Sequence, residues 1–253
     1  MEIENTFKQW KKQCLNKMDL SKKGSVDEDI AHIVRALNDA ENYFTTSSCS
    51  GRIILIDGIS DCQDVQKQNC SWLFVTHQQC QKTDVVSGLE RSCGDAVFKF
   101  EPFVLHVQCR RLEDAQLLHN VAINSGFRNS GITVGKKGKI IMAVRSTHCL
   151  EVPLSHKGQV LVSEDYIEFL VEVANQKMVE NLRRIERFYE CLQSSLQAED
   201  PQCKNTDVTE EKSVYRRRRK KMLGSPADSC QDNKDPTTSE EDDGLDYGVN
   251  LFT

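Results

Sequence analysis

Three short stretches of the chain set polar, chemistry-bearing groups at the ends of apolar runs. They are Ser47-Ser48-Cys49-Ser50-Gly51-Arg52, Lys99-Phe100-Glu101-Pro102-Phe103-Val104-Leu105-His106-Val107 and Gly126-Phe127-Arg128-Asn129-Ser130-Gly131. A strand end or loop built this way presents backbone N–H groups, hydroxyls and a guanidinium together, which suits an anion or a nucleotide. In the first stretch, Ser48, Ser50 and Gly51 let backbone amides approach a ligand, and Arg52 has the fork to pair with a carboxylate or phosphate. The plainer reading is a serine-rich turn with Arg52 in a surface ion pair. In the second, Glu101, Phe103 and His106 bring a carboxylate, an aromatic plate and an imidazole close in sequence, a set suited to proton transfer beside a flat substrate. Strand alternation puts His106 on the face opposite Leu105 and Val107; the competing reading is a satisfied core histidine. In the third, Arg128 and Ser130 follow a helix C-terminus and can hold an anion, or simply form a loop. Arg145-Ser146-Thr147-His148 ends another strand with a cation and hydroxyls, and Lys136 adds a cation in a tight turn.

Other chemistries find no support in the pattern. There is no P-loop, and no G-x-G-x-x-G follows the first strand. Gly131-x3-Gly135-x2-Gly138 has the wrong spacing and reads as a hairpin. The eleven cysteines include no C-x-x-C pair and no His/Cys cluster with zinc-ligand spacing, so no metal site is expected and the thiols read as reduced, intracellular core fillers. His106 and His148 lack the His-x-Thr/Ser pattern of a two-histidine phosphodiesterase. The first twelve residues are polar and charged, against a secretory leader, and no apolar run approaches the ~18 residues of a membrane span.

The elements that must position these groups follow from periodicity. Phe7, Trp10, Cys14, Leu15 and Met18 fall at helical spacing, and Ser25 with Glu28 makes a capping box before an apolar stripe of Val26, Ile30, Ile33, Val34 and Leu37. The period then changes to that of strands at 43–46, 53–57 and 71–76. A short helix capped by Thr83 runs to Arg91. Strands 96–101 and 103–109 hinge at Pro102, and a helix over 112–125 ends with Gly126 at C′. Strands at 132–134, 139–144, 149–153 and 159–162 precede a long helix capped by Ser163 and running to about residue 195. Its upstream half is expected to cover a sheet and its downstream half to project. The order predicts one α/β or α+β domain, a mixed sheet flanked by helices and not an ordinary doubly wound fold.

The chain has 253 residues and a net charge of −5. From Gln197 onward it is poor in apolar residues and carries nine Lys/Arg against thirteen Asp/Glu, a net of −4 that leaves −1 for residues 1–196. We read 197–253 as a disordered charged tail, in which Arg216-Arg217-Arg218-Arg219-Lys220-Lys221 can touch phosphate or serve nuclear import. Global charge does not announce a nucleic-acid binder, so any RNA-binding charge must be gathered locally.

Blocks recurring in order carry a resemblance over about residues 7–189. They include Trp10-Lys11-Lys12-Gln13-Cys14-Leu15, Lys22-Lys23-Gly24-Ser25-Val26-Asp27-Glu28-Asp29, Phe44-Thr45-Thr46-Ser47-Ser48-Cys49, Val144-Arg145-Ser146-Thr147-His148, Leu150-Glu151-Val152-Pro153-Leu154-Ser155-His156-Lys157-Gly158 and Val173-Ala174-Asn175-Gln176-Lys177-Met178. The chain resembles the wybutosine-synthesizing protein 3 family. That resemblance implies an S-adenosylmethionine-dependent methyltransferase acting on N4 of the tricyclic base at position 37 of phenylalanine tRNA, once the base carries its 3-amino-3-carboxypropyl group. It implies the tRNA anticodon loop as partner, with transient contacts to other enzymes of the pathway, no membrane, and a cytoplasmic location. On this reading His106 or Glu101 removes the proton. Ser48, Ser50, Gly51, Arg52, Arg128 and Ser130 hold the donor, and Phe103, Arg145, Ser146 and Lys136 hold the substrate. A tRNA-binding accessory factor and a phosphate-ester hydrolase remain as alternatives.

Overall fold

Two antiparallel sheets meet end to end, and one long helix lies along both. The computed structural model describes residues 2–17, 24–58, 70–135 and 138–198, with side chains from Thr6 to Gln197. Its strands are β1 (Tyr43–Cys49), β2 (Arg52–Gly58), β3 (Cys70–Thr76), β4 (Asp95–Glu101), β5 (Val104–Cys109), β6 (Gly131–Val134), β7 (Ile140–Val144), β8 (Leu150–Pro153), β9 (Ser155–His156) and β10 (Gln159–Val160). The helices are α1 (Glu2–Leu15), α2 (Ala31–Asp39), entered through a 3-10 turn at Glu28–Ile30, α3 (Lys82–Leu89), α4 (Leu112–Asn124) and α5 (Glu164–Ala198). One sheet has the order β1-β5-β7-β6 and the other β3-β2-β4-β8, with β9-β10 a small ribbon beside the second.

All of these pairings are antiparallel. This is the α+β form of the expected architecture, with the single mixed sheet refined into two. Three strand-to-strand passages join the sheets: β1 into β2 at Ser50-Gly51, β4 into β5 at Pro102-Phe103, and β7 into β8 across residues 145–149. Such passages need no crossover helix, which is why the pattern alternates poorly between strand and helix.

Each sheet has its own core. The inner face of β1-β5-β7-β6 packs Leu105, Val107, Met142 and Val144 against Ile30, Ile33 and Leu37, against Ala115, Leu118 and Ala122 of α4, and against Ile185, Phe188 and Leu192 of α5. The second sheet packs Ile53, Leu55, Phe98 and Phe100 against Val85 and Leu89 of α3 and Ile167, Leu170, Val171, Ala174 and Met178 of α5. The downstream half of α5 therefore does not project; it roofs the first core, while its charged residues face outward. α1 covers part of the opposite face of the first sheet, with Phe7 on Phe44 (5.3 Å between centroids) and Lys139 over Trp10 (4.9 Å).

Helix boundaries mostly follow their local chemistry. The Tyr166 N–H donates to Ser163 Oγ (3.3 Å), the expected cap of α5. Gly126, at φ 97°, closes α4, with the Phe127 N–H reaching the Ala122 carbonyl at 2.9 Å. At α3 the cap is Gln81 with Asp84 rather than Thr83. The start of α2 departs further. Asp27, not Ser25, holds the cap position of the 3-10 turn, and its side chain makes no cap; it reaches instead to the passage between the sheets. The glycine pattern at 131–138 is the expected hairpin, with the Gly135 N–H on the Lys139 carbonyl at 2.7 Å. The tail, its basic run, Met18, and Lys136-Lys137 lie outside the described residues.

Candidate active site

The β1–β2 passage at Ser50-Gly51 is hydrogen-bonded on several sides. Ser50 is 1% exposed, and every polar group of its backbone is used. Its N–H donates to Asp27 Oδ2 at 2.8 Å, and its carbonyl accepts from Asn181 Nδ2 of α5 at 2.7 Å. Asn181 Oδ1 in turn accepts the Phe103 N–H at 2.8 Å, so one buried side chain ties both the 50–51 and the 102–103 passages. Gly51 sits at φ +106°, and a Cβ there would lie 2.8 Å from Asn181 Nδ2 and 3.1 Å from the Glu101 carbonyl oxygen. Only glycine fits, because backbone and Asn181 crowd it. The Ser50 amide is thus structural and is not presented to a ligand, a correction to its expected role.

His77 follows β3 and completes the cluster. Its Nδ1 lies 2.9 Å from the Gly51 carbonyl oxygen, 3.5 Å from Ser50 Oγ and 3.5 Å from Asp27 Oδ2. A carbonyl can only accept, so Nδ1 carries the proton and Nε2 keeps its lone pair. Among the described residues nothing in the protein bonds to that Nε2. The loop after His77 is fixed by Asn175 of α5, which accepts the Cys80 N–H (3.0 Å) and donates to the Cys80 carbonyl (2.9 Å). Asp27, Cys49 and His77 bring ligand atoms within 4.8 Å of one another, a spacing a cation can bridge. The donor chemistry fits proton transfer better. Asp27 Oδ2 is occupied by the Ser50 N–H, His77 Nδ1 by a carbonyl, and burial foremost pushes the Cys49 thiol up, away from the thiolate that metals and electrophiles need.

A second group lies further along the same strand. Register pairs Ser47 with His106 and Cys49 with Val104 on the face away from Leu105 and Val107. Two residues along a strand span about 6.6 Å, so the two groups are near neighbours. His106 is half-buried, with Nδ1 2.9 Å from Ser47 Oγ and Nε2 3.1 Å from Arg145 Nη2. Burial, then the Arg145 charge, lowers its pKa from the ordinary imidazole value. Arg145 can only donate, so His106 Nε2 is the acceptor and its lone pair is taken. That geometry argues against His106 as the proton acceptor. Arg145 is exposed, its N–H held by Ser130 Oγ at 3.1 Å.

The other expected residues separate. Arg52 and Glu101 face each other across β2 and β4 and pair, Nε and Nη2 at 2.8 and 2.7 Å from Oε2, with the guanidinium 4.9 Å above Trp72. Each is spoken for, so Glu101 is no free base and Arg52 no free carboxylate clamp. Phe103 is fully buried against Phe127 and Phe188 and has no face to offer a substrate base. Ser48 is half-buried, and its hydroxyl makes no hydrogen bond among the described residues. Ser146 Oγ accepts from Arg184 Nη1 (3.4 Å) and from the His148 N–H (3.1 Å). Arg128 is exposed and unpaired among the described residues, while Lys136 lies outside them. His148 stands apart from His106, edge-on to Phe100. Sequence reasoning missed Asp27, His77 and Asn181. The available signals were an aspartate just before a helix and a histidine just after a strand, both too common to single out.

Comparison with known proteins settles the family. The family model described as methyltransferase TYW3 matches residues 9–194. The chain belongs to that family. The tRNA wybutosine-synthesizing protein 3 homolog of Danio rerio is 68% identical over 240 residues, spanning 94% of this chain and 95% of that one. The human homolog of the same name is 54% identical, spanning 99% and 97%. A Pyrococcus horikoshii protein named tRNA(Phe) 7-((3-amino-3-carboxypropyl)-4-demethylwyosine(37)-N(4))-methyltransferase 1 is 36% identical, over 74% of this chain and 96% of its own. Among solved structures, PH1069 from Pyrococcus horikoshii superposes with a TM-score of 0.68 at 34% identity, covering 76% of this chain and 98% of that one. An enzyme of the TYW3 family is therefore a methyltransferase built on this two-sheet fold, not a phosphate-ester hydrolase.

Proposed function

We propose that the protein methylates N4 of the 7-(3-amino-3-carboxypropyl)-4-demethylwyosine base at position 37 of phenylalanine tRNA, with S-adenosylmethionine as donor. The named Pyrococcus relative supports the reaction, and the observation that carries the mechanism is the Asp27–His77 pair. A ring nitrogen that gains a methyl loses a proton. His77 receives it at Nε2, the one imidazole nitrogen left with a lone pair by the bond to the Gly51 carbonyl. The positive charge that then spreads over the ring is stabilised by the Asp27 carboxylate, 6% exposed and 3.5 Å away. The donor supplies an electrophilic methyl on a sulfonium, and the protein's share of the work is positioning. The Ser47–Arg145 group lies along the same strand face as Cys49 and suits a polar end of the bound molecules, while Ser48, paired with the core residue Leu105, is on the other face. Positive charge for the tRNA backbone is gathered locally. Arg187 lies beside Gly126 and Arg128 stands free in the loop after it, while Arg184, also beside Gly126, is paired with Glu180 at 2.9 Å.

The test is single-turnover methylation by Asp27→Asn and His77→Gln. In the first variant the amide oxygen of the new side chain still accepts the Ser50 N–H, so the fold is retained. Both variants should lose about 100-fold or more in rate, the usual contribution of a positioned base, with tRNA affinity unchanged. Wild-type rates in both would remove the pair from the mechanism.

A further inference from the structure

We propose that Arg145, aimed by His106 and joined by Ser47, forms a recognition subsite for the carboxylate of a 3-amino-3-carboxypropyl group. The inference rests on the methyl-transfer reading, because the acceptor base and the methyl donor both carry that group.

The polarity of the hydrogen bonds leads to it. Arg145 Nη2 donates to His106 Nε2, so His106 Nδ1 must bear hydrogen and donate to Ser47 Oγ. The Ser47 O–H is therefore turned outward with its proton unspent. One Nη of Arg145 is anchored, and the remaining guanidinium N–H groups face solvent. The face of this group is all donor, and among the described residues no carboxylate stands at ion-pair distance from Arg145. A planar fork with a hydroxyl beside it matches a carboxylate. The arginine is also held in place before any ligand arrives, its side chain by His106 and its backbone N–H by Ser130 Oγ. Pre-positioning of this kind reduces the ordering that binding must otherwise impose.

Distance supports the assignment. Ser47 and Cys49 are two residues apart on β1, and Cys49 belongs to the group around Asp27 and His77. Ser47 is thus about 6.6 Å along the strand from Cys49, whose sulfur lies within 4.8 Å of the ligand atoms of Asp27 and His77. A charged arm on a molecule whose reacting atom lies at His77 falls within that reach.

Binding assays on Arg145→Ala, Arg145→Lys and Ser47→Ala separate the two sources of the carboxylate. S-adenosylhomocysteine carries it, and 5′-methylthioadenosine does not. Transfer RNA prepared with and without the 3-amino-3-carboxypropyl arm makes the corresponding pair on the acceptor side. If the donor is held, Arg145→Ala weakens S-adenosylhomocysteine tenfold or more and leaves 5′-methylthioadenosine within twofold. If the acceptor is held, Arg145→Ala erases the wild-type preference for the armed tRNA and leaves affinity for the unarmed one. Arg145→Lys, which keeps charge but loses the fork, should show most of the loss in the same arm, and Ser47→Ala a smaller one. Equal losses for ligands with and without the carboxylate would mean a phosphate contact or general damage and would overturn the inference, as would no loss at all. Wild-type protein that neither binds S-adenosylhomocysteine nor methylates armed tRNA would take down the methyl-transfer reading itself.

Discussion

Two histidines in this protein are kept neutral by where the chain puts them. His106 is depressed by burial first and by Arg145 second, and His148 by burial first and then by Lys177 and Arg184. A group whose folded-state pKa lies below its unfolded value, ~6.5 for histidine, contributes stability above that value. The contribution is lost as pH falls toward the folded pKa, because the unfolded chain takes up protons that the native one refuses. The melting temperature should therefore decline as pH is lowered from 7.5 toward 5.5. Replacing both residues by Asn should flatten that slope, which melts at stepped pH will read. A slope unaffected by the double change would place the pH dependence elsewhere. At this scale the sequence revealed residue types but not their partners. Arg52, Glu101 and His106 were recognisable as chemistry-bearing, yet Arg52 and Glu101 consume each other across two strands, and the His106 lone pair is met by Arg145, 39 residues on at the end of another strand. His77 was overlooked because what distinguishes it, a carbonyl at Nδ1 and a buried carboxylate beside it, comes from residues 26 and 50 positions away.

The elements were more legible than the site, for a physical reason. Capping by Ser163, the left-handed glycine after α4 and the apolar stripe of α5 are local, and each forms as its own segment dictates. What the stripe could not disclose is that two sheets lie end to end beneath it, since an apolar face reads the same whichever partner covers it. The polar positions within that stripe carry the information. Asn175 and Asn181 are turned toward the sheets, and each satisfies one donor and one acceptor of the backbone around the site. Asn181→Leu, similar in size, leaves the Ser50 carbonyl and the Phe103 N–H buried and unpaired. A loss of about 2–6 kcal/mol in urea-unfolding free energy is expected, at about 1–3 kcal/mol for each of the two orphaned groups. Leucine at the exposed Gln176 of the same helix would change stability by a few tenths at most, so a small effect at 181 would show that the tie is dispensable.

For the molecule as a whole, the compositional break at Gln197 is followed closely by the end of α5 at Ala198, after the last family-matched residue, 194. We expect a chain ending at Ala198 to melt with an unchanged transition and to keep its methylation rate at moderate salt. If the basic run at 216–221 adds phosphate contacts, tRNA affinity will fall in the truncated form and the loss will shrink as salt is raised. A truncated protein that precipitates or melts early would move the edge of the folded unit beyond residue 198. Among the described residues no helix is long and apolar enough to cross a membrane, α5 included, for all its 35 residues.

The side chain of Asn181 also sets how slowly the site can open. Ser50 and Phe103 give their amide protons to acceptors that are themselves buried, and the helix supplying one of them is pinned by both cores at once. Neither core can loosen that helix without the other, so these two amides have no route to solvent short of losing both. In deuterated buffer they should exchange among the last in the chain, at a rate that follows global stability as denaturant is added. The amide of Arg145, an exposed residue bonded to a half-buried loop serine, should exchange long before them.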